Sequence, residues 1–407
     1  MGSGKSSAAI EYVNQSKDNV IYVTPYLEEV KRIVKACWRR GIKQPVAKDG
    51  IKLNDAVELI KQGKCIAATH QLLARFKLDM ADIIRNGDYV LIIDEAVNAI
   101  DSLNYKQRDI KDILSMIDDG MITVGEDGVT LRWNPDAKCY LQSHRELREQ
   151  MEGGTLLCYG KKLLLWEFPF KLLDAFKEVI VLTYQFDALP MRHYMSLHGI
   201  EYDYIGVERL GGKYRFTDGR MSDPQGVPYR DKVHIFEGDN NALGGDCVKS
   251  TAYSKGWYKK RKKPEGLKEV QTELHSVCRY RWQGVPSADI LWTTFKEYKH
   301  WLKGDGYTKG FLACNARATN AYGNRHYVCY AVNMYMNPVI RNYLTSKGVI
   351  LNEEDYALAQ MLQFIWRSAI RNGEDIYVYV PSMRMRSLLR QWLDGKRPIG
   401  GDSKISA

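Results

Sequence analysis

The sequence predicts an α/β protein built on parallel sheets, with two domains in tandem. Three observations carry this expectation. Short β-branched runs alternate with helical patterns through roughly the first hundred residues, the rhythm of a parallel sheet covered by helices. One run, Tyr89 to Ile93, is apolar without interruption, as a strand buried on both faces must be. The same rhythm restarts after Pro190, in a chain of 407 residues that exceeds what one hydrophobic core usually organises.

Taken in order, Val20–Val23 reads as a strand, Leu27–Trp38 as an amphipathic helix, and Cys65–Ala68 and Tyr89–Ile93 as strands. Residues from about 103 to 175 break the pattern with helix, hairpin and helix. There Met121–Val124 and Val129–Trp133 are joined through Glu126-Asp127-Gly128, and the stretch reads as an insertion in the first domain. Val179–Thr183 resumes the buried strand. The second series comprises Tyr202–Val207, Val233–Phe236, Asp289–Thr293, Gly310–Cys314, Tyr327–Val332 and Ile376–Val380. Gly211–Tyr229, rich in turn formers, reads as a loop, and the tail after Gly395 as frayed.

Hydrophobic residues make up 45% of the chain, charged residues 27% and aromatics 11%, which excludes wholesale disorder and a small stapled module. A net charge of +10 favours a polyanion as partner without choosing between nucleic acid, nucleotide and anionic lipid. The eight cysteines form no Cys-x-x-Cys pair and no zinc-finger spacing, so reduced thiols and a cytoplasmic location are expected. No run of about eighteen apolar residues exists to span a bilayer, so no membrane partner is expected.

Three segments carry chemistry. Gly2-Ser3-Gly4-Lys5-Ser6 has the end of a phosphate-binding loop: glycines let backbone amides converge on phosphate oxygens, Lys5 adds a point charge, and the Ser6 hydroxyl can bind Mg²⁺. A strand usually precedes that loop: if the chain starts at Met1 the loop lacks it, and if the start is truncated or misassigned upstream residues supply it. The competing readings are a cloning remnant and a loose myristoylation signal. Leu91-Ile92-Ile93-Asp94-Glu95 places two acids just after a buried strand, where parallel sheets bind ligands. In a nucleotide hydrolase Asp94 would hold Mg²⁺ and Glu95 would polarise the attacking water. The plainer alternative is a pair of acids at a helix start. Asn352–Arg371 reads as one helix capped by Asn352, with Gln363, Arg367 and Arg371 along one edge that can face a γ-phosphate. A solvated basic edge is the alternative.

Read together, these segments carry a resemblance. With Val23-Thr24-Pro25, Ala68-Thr69-His70, Leu182-Thr183-Tyr184 and Asn315-Ala316-Arg317-Ala318-Thr319-Asn320 they follow the motif order of superfamily 2 helicases of the DEAD/DEAH-like type. The whole is similar to the compact helicase-like ATPases of bacteriophages and mobile elements. The resemblance implies two RecA-like domains, residues 1–192 with the insertion and residues 193–395, followed by a flexible tail over 396–407. It implies ATP and Mg²⁺ at Gly2, Ser3, Gly4, Lys5, Ser6 and Asp94, catalysis by Glu95 with Gln363 and Arg367 or Arg371, and coupling through Thr183. Thr24, Thr69, His70, Thr293, Arg317, Thr319 and Asn320 would contact a nucleic-acid strand. The final motif has Trp366 where glycine is usual, and Arg371 comes eight rather than seven residues after Gln363, which leaves the choice of arginine open.

Tyr258-Lys259-Lys260-Arg261-Lys262-Lys263, followed by Arg279-Tyr280-Arg281-Trp282, interleaves cations with aromatics and suits phosphates and unpaired bases. Lys260 and Arg261 are therefore candidate strand contacts; a solvated loop is the alternative. The expected function is an ATP-dependent helicase or translocase acting on single-stranded or forked nucleic acid, DNA favoured, in phage or mobile-element replication or recombination, with proteins of those pathways as further partners. A translocase that does not unwind and a non-hydrolysing nucleic-acid binder with a decayed fold are the alternatives.

Overall fold

The computed structural model describes residues 4–47, 51–103, 105, 107–136, 145–160, 163–219, 226–261, 265–316 and 321–397. Its contacts group into two compact units: an N-terminal unit of Ser3–Met221 with Asn337–Leu351, and a C-terminal unit containing Ser222–Met336 and Asn352–Ala407. Each is built on a four-stranded sheet whose strands all run parallel, so the α/β class is borne out.

The N-terminal unit opens with α1 (Lys5–Gln15), β1 (Asn19–Thr24), α2 (Leu27–Ala36), α3 (Lys52–Lys61), β2 (Ile66–Thr69), α4 (His70–Leu73), α5 (Ala81–Asn86) and β3 (Tyr89–Asp94). Helix α2 buries Val30 and Ile33, carries Glu28 and Glu29 in its first turn and Lys35 in its last, and so complements its own dipole. The insertion follows: β4 (Ile100–Leu103), α6 (Gln107–Asp118), β5 (Ile122–Val124), β6 (Leu131–Trp133), α7 (Arg145–Glu152), β7 (Leu156–Tyr159) and β8 (Leu163–Glu167). The β5–β6 hairpin lies between α6 and α7 as expected, and β4, β8 and β7 add an antiparallel sheet. Then come β9 (Glu178–Leu182), α8 (Pro190–Leu197), β10 (Ile205–Leu210) and β11 (Lys213–Asp218).

The N-terminal sheet has the order β2-β1-β3-β9, with Thr24 beside Thr69 and Asp94 beside Leu182, so the carboxyl ends of all four strands form one edge. Val20, Ile21, Tyr22 and Val23 are wholly buried, and so are Val90, Leu91 and Ile92. At about 1.5–3 kcal/mol for each large apolar side chain removed from water, these strands anchor the unit.

The C-terminal unit holds β12 (Val233–Ile235), α9 (Lys255–Lys260), α10 (Glu265–Ser276), β13 (Ile290–Thr293), α11 (Lys299–Leu302) and β14 (Tyr327–Tyr330). The next helix, α12 (Pro338–Ser346), belongs to the N-terminal unit: Asn337 donates to Ser102 Oγ at 2.7 Å and Tyr343 donates to Glu167 Oε2 at 3.2 Å. The chain then returns through α13 (Glu353–Ile365), β15 (Ile376–Tyr379) and α14 (Met383–Leu393), completing the sheet order β12-β15-β14-β13. Its core is aromatic, with Tyr253, Tyr258, Trp292, Tyr307 and Tyr379 buried together.

Three local expectations are corrected. Gly211–Tyr229 is not all loop, because Gly211 and Gly212, both at positive φ, make the two-residue turn that pairs β10 with β11. Gly310–Cys314 is not a strand; it meets β13 only at the bridge between Trp292 and Phe311. The helix from Asn352 ends at Ile365, short of Arg367 and Arg371, because the buried Trp366 turns into contact with Tyr229 and Trp392 at 5.0 and 5.3 Å between ring centroids. Its start is as expected: Asn352 Oδ1 accepts from the amides of Glu354 and Asp355, a cap worth about 1 kcal/mol. In the expected tail, Arg397 pairs with Glu354 and Asp355, and residues from 398 lie outside the described part.

Candidate functional site

The site is built on the carboxyl edge of the N-terminal sheet. Helix α1 starts at Lys5 after Gly4, which sits at φ 83°, the left-handed region. Only glycine fits there, since a Cβ would lie 2.2 Å from the Tyr214 ring on β11. The helix has neither a side-chain cap nor an acid in its first turn, and the positive end of its dipole favours an anion there. Lys5 and Ser6 stand in that first turn. Ala8, Ala9 and Val13 bury the opposite face and fix the helix on the sheet.

Ser6 Oγ donates to Asp94 Oδ1 at 3.2 Å, which brings the first and second chemical segments together across 88 positions of sequence. Tyr22, wholly buried on β1, donates from its hydroxyl to Asp94 Oδ2 at 2.8 Å. Burial raises the Asp94 carboxyl above its usual range; the bonds from Tyr22 and Ser6 oppose the shift, Glu95 adds to it, and Arg32 opposes it more weakly.

Glu95 follows at φ 65°, a left-handed conformation costing a non-glycine residue about 1 kcal/mol. Two bonds hold the turn: Glu95 N–H donates to Leu182 O at 2.9 Å, and His70 Nε2 lies 3.0 Å from Asp94 O. A carbonyl only accepts, so Nε2 carries the proton. His70 therefore reaches from the end of β2 to the acid pair, and Thr69 Oγ1 caps α4 by accepting from the Leu72 amide at 3.3 Å. Thr24 is buried at the end of β1, and Thr183 is half-buried one residue beyond β9.

The oxygen donors fit a magnesium ion. Ser6 Oγ and Asp94 Oδ1 are hard ligands side by side, and Mg²⁺ commonly takes one or two protein oxygens and completes its shell with water and phosphate. Among the described residues no cluster of three or more His, Cys, Asp or Glu forms a self-sufficient metal cage. Gly2 and Ser3 lie outside the described residues, as do Arg317, Thr319 and Asn320.

In the C-terminal unit, Gln363 is half-buried on the last turn of α13, whereas Arg367 lies in the turn beyond it and Arg371 in a 3-10 turn, so the three do not share one helical edge. Arg371 borders a hollow of about 490 Å³ with Gly323, Asn324, His326, Asn372 and Glu374. Thr293 is fully buried at the end of β13. Lys260 is exposed at the end of α9, and the Arg261 guanidinium lies 3.5 Å from the centre of the Trp257 ring. Arg279, Tyr280 and Arg281 are exposed together.

Sequence reasoning missed Tyr22 and Tyr214. A tyrosine in an otherwise aliphatic buried strand, two residues before the strand's end, is the available signal for Tyr22, because a buried phenol needs a partner. Tyr214 sits on a hairpin read as loop, and nothing in the sequence ties it to Gly4.

No disulfide joins the described cysteines, and no described helix is long and apolar enough to cross a membrane. A family model described as the YonV C-terminal Rossmann-like domain matches residues 228–393. The solved structure of S. tokodaii Xpd4 aligns with 96% of this chain and 92% of its own at 16% identity and a TM-score of 0.41. The SPbeta prophage-derived uncharacterized protein YonV of Bacillus subtilis (strain 168) is 36% identical over 414 aligned positions, covering 98% of each chain. Similarity of that extent, over both units, means that this chain belongs to the YonV family.

Proposed function

We propose that this protein is an ATP hydrolase of helicase type that translocates along or remodels nucleic acid, with single-stranded or forked DNA as its partner. One observation carries the reading: the Ser6 hydroxyl meets the Asp94 carboxylate at the carboxyl edge of a parallel sheet, beside an uncapped helix start. An isolated Gly-Lys-Ser or Asp-Glu pair is weak evidence, but each supports the other when they converge. The prophage origin of the relative suits a role in phage replication or recombination.

In this mechanism the amides of the first turn of α1 and the Lys5 ammonium bind the triphosphate. Ser6 and Asp94 would hold Mg²⁺, which would supply charge withdrawal from the phosphates. Glu95, the residue after Asp94 at the end of β3, accepts the proton of the attacking water. Gln363, Arg367 and Arg371 are assigned the transition-state charge by the resemblance alone. Arg279, Tyr280 and Arg281, with Lys260 and Arg261, offer cations and an aromatic face to an unpaired strand.

The test is Lys5→Ala. ATPase activity measured with single-stranded DNA should fall at least about 100-fold, while strand binding changes less than about twofold. Equal ATPase activity in the variant and the parent would remove the site. A strand-displacement assay separates unwinding from translocation alone, and strand binding without any nucleotide binding would instead point to a decayed, non-hydrolysing fold.

A further inference from the structure

Both oxygens of the Asp94 carboxylate are occupied, and from different elements: Oδ1 by Ser6 on α1 and Oδ2 by Tyr22 on β1. The partners differ in kind. Ser6 lies in the first turn of a surface helix, and its hydroxyl is the group that turns to a metal. Tyr22 is wholly buried, and its phenol has no other function in the reading above. The sheet geometry explains its reach. Tyr22 stands opposite Ile92 in the β1–β3 pairing, so Asp94 is the diagonal neighbour two residues on along the same face, a distance that an aromatic side chain spans.

We propose that Tyr22 is a positioning residue for nucleotide-bound metal: it pins Asp94 Oδ2 so that Oδ1 faces the start of α1 whether or not Ser6 is bonded to it. The inference rests on the function proposed above. A carboxylate held by one donor swings about its Cβ–Cγ bond when that donor is withdrawn. One held at Oδ2 from within the sheet keeps its other oxygen aimed. Partners that orient metal ligands in this way commonly contribute tenfold to a hundredfold to affinity.

The experiment compares the parent with Tyr22→Phe, which keeps the buried ring and removes only the hydroxyl. Binding of Mn²⁺ in the presence of ADP is followed by electron paramagnetic resonance, and ADP binding in EDTA by calorimetry. The expected result is about a tenfold loss of Mn²⁺ affinity, with metal-free ADP binding and cooperative melting retained. ATPase activity should need about tenfold more Mg²⁺ while approaching the parental maximum at saturation. A double-mutant cycle adds a readout that loosened packing would not move: in the Asp94→Asn background, Tyr22→Phe should produce no further loss of metal affinity. Equal Mn²⁺ affinity in Tyr22→Phe and the parent overturns the role of Tyr22 and leaves the ATPase reading standing. A parent that binds no Mn²⁺ with ADP overturns that reading, and the positioning role with it.

Discussion

Both units rest on a four-stranded parallel sheet, yet they present polar side chains at opposite edges. In the N-terminal sheet the carboxyl edge carries Asp94, Glu95, Thr69 and His70, all partly accessible. Its amino edge is sealed by local bonds, Asn19 donating to Gly87 O at 2.8 Å and Tyr89 to Lys64 O at 2.9 Å. In the C-terminal sheet the carboxyl edge is closed: Thr293, Thr294, Tyr330, Asn333 and Ser382 are fully buried, and Arg384 donates to Asn333 Oδ1 and Met334 O. Its polar groups, Asp289, His326 and Glu374 with Arg371 nearby, precede the strands instead. Parallel topology supplies two candidate edges, and packing decides which is open. The rule that ligands bind at the carboxyl edge therefore holds only where nothing has filled it.

The largest expected contrast between the units away from the candidate site is in acid. His193 on α8 is 3% exposed, and neither ring nitrogen has a partner among the described residues. Burial, reinforced by Arg192, pushes its pKa down to about 4 from the usual 6.5. The unfolded chain therefore binds a proton that the folded unit refuses. This contribution to stability is fully present above pH 6.5 and is lost as pH falls towards 4, to a total of about 3 kcal/mol. The protection factors of α8 amides, which divide out the intrinsic pH dependence of exchange, should fall over that window in the parent and stay level in His193→Leu. A parent whose protection factors hold would mean that the imidazole is solvated.

A smaller effect sharpens the functional side of the comparison. Trp282 packs at 5.1 Å from Tyr327, the first residue of β14, so the exposed Arg279-Tyr280-Arg281 segment lies beside the open amino edge of the C-terminal sheet. Tyr280 is 64% exposed, a cost for an aromatic that base stacking would offset. Tyr280→Ala should weaken single-strand binding about tenfold, measured by fluorescence anisotropy, because one base–aromatic stack contributes about 1–3 kcal/mol. Parental affinity in that variant would move the strand contact elsewhere.

Much of this was legible in the residues. Continuous apolar runs identify the central strands because a parallel sheet buries both faces, and Asn352 announces its cap by residue type. The illegible parts depend on tertiary contacts. Helix α13 stops at Ile365 although the pattern continues, since Trp366 is held by Tyr229 and Trp392 and the Ser368 hydroxyl donates to Ile365 O at 2.6 Å. No local periodicity encodes partners so distant in sequence. The convergence of Ser6 on Asp94 was inferable from two familiar segments, whereas Tyr22 needed the register of β1 against β3. The amino-edge group escaped notice because Asp289 and Glu374 lie 37 and 48 positions from His326.

That group gives the smallest and most specific expectation. His326 Nδ1 and Nε2 each lie 2.8 Å from a carboxylate oxygen, of Asp289 and Glu374 respectively. Carboxylates accept, so both nitrogens donate only when the ring is an imidazolium. The bond to Asp289, then the bond to Glu374, raises its pKa above the usual 6.5. The sign is opposite to that for His193: here the folded unit holds the proton more tightly than the unfolded chain. The bridge's contribution is complete below pH 6.5 and is lost as pH rises through the raised value. With the ring about a third exposed, solvent limits it to about 0.5–1 kcal/mol, and salt reduces it further. Urea midpoints should therefore fall as pH rises above 6.5 in the parent and not in His326→Gln. If the two proteins run parallel with pH, the ring is neutral, and among the described residues lining that hollow the positive charge is that of Arg371.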